Sequence, residues 1–386
     1  MTRKIKADDI FTGTEFSGPG NVLLIDDQGV VEAIVPAVEA GEGVEILEGI
    51  LCPGFINAHC HIELSHLKRK VPQHTGLVDF VQAVMTERDA PDEEKQQAMQ
   101  DAEEELYNSG TVAIGDICNT TDSIPLKASS KLYWHNFIEI SGFVDAAAQK
   151  RFDLANDILK TFRNHLSSAI CHLSSLSPHA PYSVSKKLFE LINEATAGQL
   201  ISIHNQEAAA ENELYQNKSG KFLELYKNFG IDISSFEPTE RNSFPSWNPY
   251  FNKQQKIISV HNTFIDNEDL NNSKFKIQNS KFHFCLCPNA NLYIENTLPP
   301  VNMLLEAGCN IILGTDSYAS NTQLNIFEEI NTLQKHFPGI PLQTMLQWAT
   351  LNGAMALGIE EKFGSFEKGK QPGIVLINEG SALRII

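Results

Sequence analysis

Short apolar runs alternate with longer helical patterns along most of this chain, and that rhythm leaves few folds open. Strand-like runs cover residues 51–61, 111–118, 131–140, 169–179, 200–205, 256–261, 281–288 and 310–316. Helical patterns such as 78–107, 146–166, 185–197 and 301–307 lie between them. Strands separated by helices in this way predict a (β/α)8 barrel over residues 51–359. A doubly wound sheet shares the alternation, but its glycine-rich dinucleotide fingerprint is missing. The segment Gly364-Ser365-Phe366-Glu367-Lys368-Gly369-Lys370 does not make a phosphate loop: Gln371 stands where Ser or Thr is required, and Pro372 opens a strand-like run rather than a helix.

Residues 1–50 read differently, as short apolar runs broken by Gly- and Asp-containing turns, which is the pattern of a small antiparallel β unit. Residues 360–386 contain strands expected to return and complete it as a sandwich-like domain. The net charge of −18 excludes a nucleic-acid surface, which needs clustered positive charge. The run Lys68-Arg69-Lys70 is the main local exception and reads as a solvated loop cluster. Seven scattered cysteines give no disulfide framework. With no apolar run of about 18 residues and no signal segment, the expectation is a soluble cytoplasmic protein with no membrane partner.

Chemistry collects at the ends of the expected strands, where a barrel of this kind builds its active site. His59 and His61 in Asn57-Ala58-His59-Cys60-His61-Ile62-Glu63 share a strand face, because alternate residues point the same way. His179, His204, His261 and Asp316 end later strands. His59, His61, His204 and Asp316 together supply three neutral nitrogens and a carboxylate, a set suited to one zinc ion, with iron as the alternative. Such an ion lowers the pKa of its water from about 15.7 towards 7. Asp316 can also accept a proton, and His261 can orient or deprotonate the water. Glu207, three residues after His204, is placed to carry a proton to a ring nitrogen and on to a leaving group. His179 sits between Pro178 and Pro181 and reads as a substrate-orienting donor.

These stretches resemble the amidohydrolase superfamily, in its branch of mononuclear nucleoside and nucleobase deaminases and related chlorohydrolases. The resemblance is carried by Pro53-Gly54-Phe55-Ile56-Asn57-Ala58-His59-Cys60-His61, Ser177-Pro178-His179-Ala180-Pro181-Tyr182-Ser183, His204-Asn205-Gln206-Glu207 and Val260-His261-Asn262. Cys287-Pro288-Asn289-Ala290-Asn291, Leu313-Gly314-Thr315-Asp316-Ser317 and Ala349-Thr350-Leu351-Asn352-Gly353-Ala354 extend it, in family order, over nearly the whole chain. It implies His59, His61, His204 and Asp316 as metal ligands, Glu207 as proton shuttle and His261 as the water-activating residue. It also implies a homodimer. No lysine lies near His179, so a carbamate bridging two metals is not expected. Pro372-Gly373 departs from the family tail, far from the chemistry.

His59-Cys60-His61-Ile62-Glu63-Leu64-Ser65 is further similar to the HxHxExS pattern of aminodeoxyfutalosine deaminases, which act on an adenine-bearing nucleoside. On the face of His59 and His61, Glu63 would read a purine edge; a hydrogen bond to a neighbouring loop is the competing role. Glu139, at the end of the third strand, has the same two readings. Aromatics between 236 and 251, Trp247 among them, make either a lid that stacks on the base or a small core within a long loop. The leading expectation is hydrolytic deamination of an adenine-type nucleoside, releasing ammonia. The alternatives are the same site acting on guanine, cytosine or triazine-like rings by deamination or dechlorination, and a catalytically silent barrel that only binds.

Overall fold

A computed structural model describes residues 2–166, 172–271 and 281–386. The barrel strands are β1 (Phe55–Cys60), β2 (Thr111–Cys118), β3 (Tyr133–Ile140), β4 (His172–Pro178), β5 (Leu200–Asn205), β6 (Lys256–His261), β7 (Phe282–Leu286) and β8 (Ile311–Leu313). Their near-continuous burial is what a parallel sheet covered on both faces demands. β1 to β4 form one four-stranded parallel sheet and β5 to β8 another. The sheets join at two seams. At one, His204 N–H donates to His179 O at 2.9 Å. At the other, Cys60 and Asp316 form a parallel bridge, and the Thr315 and Asp316 amides both reach His59 O at 3.1 Å. The result is the expected barrel. Residues 169–171 of the fourth expected strand lie outside the described residues.

Gly314 makes the second seam close. A Cβ there would stand 2.8 Å from His59 Cβ and 2.9 Å from Cys285 Sγ, so a side chain would push β8 off β1. The same contact carries Asp316 to His59.

The run 51–61 is two strands, not one. Ile50–Pro53 pairs antiparallel with Ile374–Asn378, while β1 starts at Phe55. Gly54 is the crossing point: a Cβ would lie 2.3 Å from Val112 Cγ1 and 2.6 Å from Pro372 O. The helical pattern over 78–107 likewise divides, into Leu77–Glu87 and Asp92–Asn108, with Pro91 as the cap of the second. Proline has no N–H to donate and forces an extended residue before it.

The N- and C-terminal segments meet in two four-stranded sheets. One holds Arg3–Lys6, Asn21–Ile25, Val31–Pro36 and Glu45–Ile46; the other holds Asp9–Ile10, Ile50–Pro53, Ile374–Asn378 and Ser381–Arg384. Ile5, Leu23, Val31, Leu51, Phe366 and Ile374 fill the space between them. Among the described residues no helix is long and apolar enough to cross a membrane.

Candidate metal centre and active site

The strand ends bring His59, His61, His204 and Asp316 into one buried group, with one ligand atom from each lying within 4.8 Å of the others. His61 Nε2 is 3.1 Å from His59 Nε2 and 3.3 Å from His204 Nε2. Asp316 Oδ1 lies 3.4 Å from His59 Nε2 and 3.3 Å from His61 Nε2. Three imidazole nitrogens cannot satisfy one another by hydrogen bonds, since a neutral ring has one donor to share. Burial lowers the pKa of His59 and His61 and takes His204 down to about 3, so lone pairs rather than protons fill the centre. Burial alone would raise Asp316, but the surrounding His59, His61 and His261 imidazoles hold it well below the usual range, so it is ionised. Converging lone pairs and one anion fit a divalent cation.

Groups behind His204 and Asp316 fix the aim of those two. His204 Nδ1 bonds His179 O at 2.8 Å, which leaves Nε2 for the centre. The Ser320 hydroxyl donates to Asp316 Oδ2, leaving Oδ1 facing the histidines. The backbone contributes as well: Gln206, His261, Asn262 and Asp316 all have positive φ, between 45° and 69°. Non-glycine residues rarely adopt this conformation, and they persist in it where surrounding contacts over-determine them. Here they cluster just as β5, β6 and β8 end.

Glu207 and His261 lie beside the four. His261 Nε2 is 3.4 Å from Glu207 Oε1, and Asn291 Nδ2 lies 3.1 Å from His261 Nδ1. Burial pushes Glu207 well above the usual carboxyl range, and the carboxylates of Asp316, Glu211 and Glu295 push it further. Both influences favour its protonated form. His261 is neutral for the reason its neighbours are: burial takes it well below its ordinary value.

His179 and Glu139 stand on the adjacent rim, and with His204 they also bring ligand-type atoms within 4.8 Å of one another. His179 Nδ1 is 2.6 Å from Ser183 Oγ, and burial lowers its pKa to about 4. Glu139 Oε1 accepts from Asn119 Nδ2 at 2.7 Å.

Geometry decides between two readings for each of Glu63 and Trp247. Glu63 is not on the strand face of His59 and His61, because β1 stops at Cys60 and Ile62–Leu67 coil into a 3-10 helix. Its carboxylate accepts the Asn119 and Thr120 amides at 2.9 and 3.1 Å, so the competing loop contact is the one formed. Glu63 thus stands one contact behind Glu139. Trp247 is not a lid residue either. It is 0% exposed, packed edge-on against Phe244, Phe251 and Phe282, with Nε1 donating to Asn205 Oδ1 at 2.7 Å. A large apolar ring with one buried donor went where both could be satisfied. Two of the three bases after β1 have ion-pair partners: Lys68 pairs with Glu105 and Lys70 with Glu94.

Sequence reasoning missed Ser320, Glu211 and the pair Asp116–Lys127. Asp116 accepts the Ile62 amide at 2.8 Å, one residue after His61, and Lys127 Nζ meets it at 2.5 Å with both side chains fully buried. An i+4 carboxylate after Glu207 was the only available signal for Glu211; nothing marked Lys127.

Comparison with known proteins agrees with this geometry. Residues 50–383 match the amidohydrolase family model. A 5'-deoxyadenosine deaminase of Methanococcus maripaludis is 28% identical over 355 residues, 86% of this chain and 76% of that one. The crystal structure of Helicobacter pylori aminofutalosine deaminase in complex with methylthio-coformycin superposes with a TM-score of 0.83 at 23% identity, covering 98% of this chain and 93% of that one. A Xanthomonas campestris adenosine deaminase with bound zinc gives a TM-score of 0.75 at 21% identity, over 97% and 84% of the two chains. The match over most of its length, on a barrel whose strand ends carry the histidines and the aspartate, shows that this chain belongs to the amidohydrolase family.

Proposed function

We infer that the protein is a metal-dependent hydrolytic deaminase of an adenine-type nucleoside. The observation that carries this reading is Glu207, a buried carboxyl 3.4 Å from His261 and beside the convergent His59, His61, His204 and Asp316. Relatives named as adenine-nucleoside deaminases support it.

His59, His61, His204 and Asp316 would hold one divalent ion, and zinc suits three imidazoles and a carboxylate best. The ion would supply Lewis acidity that makes water nucleophilic near neutral pH. Glu207 gives its proton to the ring nitrogen next to the amino-bearing carbon, which makes that carbon electrophilic. His261 Nε2, neutral and fixed by Asn291, orients the attacking water and steadies the oxygen as charge develops on it. One water proton passes through Asp316 to the amino group. The carbon–nitrogen bond then breaks, ammonia leaves, and the remaining hydroxyl proton returns to Glu207 as the keto product forms. His179 and Glu139 on the rim are placed to orient the nucleoside.

The test is ammonia release and loss of adenine-type absorbance across adenosine, 5'-deoxyadenosine, methylthioadenosine, S-adenosylhomocysteine and aminodeoxyfutalosine, using zinc-loaded protein. Turnover of at least one is expected. Zinc-loaded protein silent on all five, or one that releases halide from a chlorotriazine instead, would overturn the reading.

A further inference from the structure

Glu207 follows a residue in a strained conformation, and the structure shows what holds that residue. Gln206 has φ +45° and is gripped at four points. Its amide donates to Glu211 Oε1 at 2.9 Å. Its side-chain Nε2 donates to Asp269 Oδ2 at 2.8 Å and to Asn212 Oδ1 at 3.1 Å, while its Oε1 accepts from Asn205 Nδ2 at 3.1 Å. Its carbonyl accepts from the Phe264 amide at 2.9 Å. The Glu207 amide faces the same Glu211 carboxylate.

Glu211 lies in the first turn of the helix Ala209–Asn217, whose cap residue Ala208 offers no side-chain hydrogen bond. A capping-box glutamate returns to the amide of the cap residue itself. This one reaches further back, to Gln206. It is 0% exposed, and the Ser243 side chain also meets its carboxylate. Burying a carboxyl group is costly, so helix capping alone gives poor reason to bury one here.

We propose that Glu211 is a positioning residue: its carboxylate clamps the Gln206–Glu207 turn and so aims the Glu207 carboxyl at the substrate ring. This rests on the reading of Glu207 as the proton shuttle. A displacement of about 1 Å at a proton-transfer group can cost on the order of a hundredfold in rate, which is the scale of effect a loosened turn would produce.

The experiment compares wild type with Glu211→Gln and Glu211→Asp, each loaded with zinc and measured for metal content. Hydrogen exchange of the peptide containing the Gln206 and Glu207 amides is read alongside kcat and KM. Gln can turn only one acceptor oxygen towards the two amides, whereas Asp keeps the charge on a shorter arm. The expected result for Glu211→Gln is faster exchange at those amides, unchanged zinc and KM, and a kcat lower by about 10- to 100-fold. Glu211→Asp should recover part of both. Unchanged exchange at Gln206 and Glu207 overturns the proposal whether or not the protein deaminates anything. A kcat within about twofold of wild type, or a loss that follows zinc content, overturns it too. If Glu211→Gln does not fold, Glu211→Asp must show an intermediate loss in exchange protection and kcat, and wild-type behaviour from it overturns the proposal. Failure of the deaminase reading itself would show separately, as wild-type protein inactive on every nucleoside.

Discussion

Glu207 Oε1 and His261 Nε2 lie 3.4 Å apart, both buried, one carried by the turn after β5 and the other by the last residue of β6. Burial acts on the two in opposite senses. It favours the uncharged form of each, so the two face each other without forming an ion pair. Replacing Glu207 by Gln preserves shape and removes only the transferable proton. Zinc content and KM should stay near wild type while kcat falls by about 10²- to 10⁴-fold. A kcat loss under tenfold would show that some other group delivers the proton.

The second prediction concerns the ion. Dialysis against a strong chelator should abolish turnover, and one equivalent of zinc should restore it. The zinc-loaded protein should also melt higher, since a ligand at a hundred times its Kd adds about 2.7 kcal/mol to stability. Asp316→Asn removes the one anion of the set and should lower zinc affinity sharply. Calorimetric titration checks this, and wild-type affinity in Asp316→Asn would exclude the carboxylate as a ligand.

Trp247 provides the third. It anchors Asn205, which follows His204, through the 2.7 Å bond from Nε1. Trp247→Ala should cost about 3–5 kcal/mol in urea unfolding, the range for truncating a large core aromatic. Trp247→Phe, which keeps most of the packing and loses the donor, should cost less and leave KM unchanged. A raised KM in Trp247→Phe with wild-type stability would instead place the indole against the substrate.

The barrel was legible because its strands are apolar, regularly spaced and bounded by helices, and the candidate ligand cluster because strand ends carry His59, His204 and Asp316. What sequence could not resolve was direction after a strand stops. Glu63 differs from His61 by two positions, yet the coil that begins at Ile62 turns it towards Asn119. Trp247 could be read as lid or as small core, because loop aromatics carry no periodicity to reveal which way they face. Lys127 sits in the short helix Ile124–Ser129, where one lysine ordinarily means a solvent face. Its burial depends on Asp116, a partner from another element, which no local pattern encodes.

That pair makes the fourth prediction. Lys127→Met leaves Asp116 charged and buried without its cation, a loss of about 3–5 kcal/mol. Asp116 still has to accept the Ile62 amide, so the double variant Lys127→Met with Asp116→Asn should recover part of the stability while keeping the protein folded around His61. Chemical denaturation of the two single variants and the double gives the coupling. Additive losses would show that the two side chains do not act as a pair.

The fifth uses pH. Glu329 is fully buried, and burial lifts its pKa to about 8 even though the Asn289 amide and the Asn289 and Asn321 side chains donate to it. The unfolded chain titrates Glu near 4.3, so between that value and about 8 the folded state binds the extra proton. Stability contributed by this group is therefore full below about pH 4.3, falls as pH rises through the window, and is constant above about pH 8. Glu329→Gln removes the titration but sets an amide N–H against existing donors. It should lose about 1–3 kcal/mol at pH 5 and less at pH 8, where wild type already bears the cost of a buried charge. Urea unfolding at both pH values measures the difference, and an equal loss at the two would mean that Glu329 does not change protonation on folding.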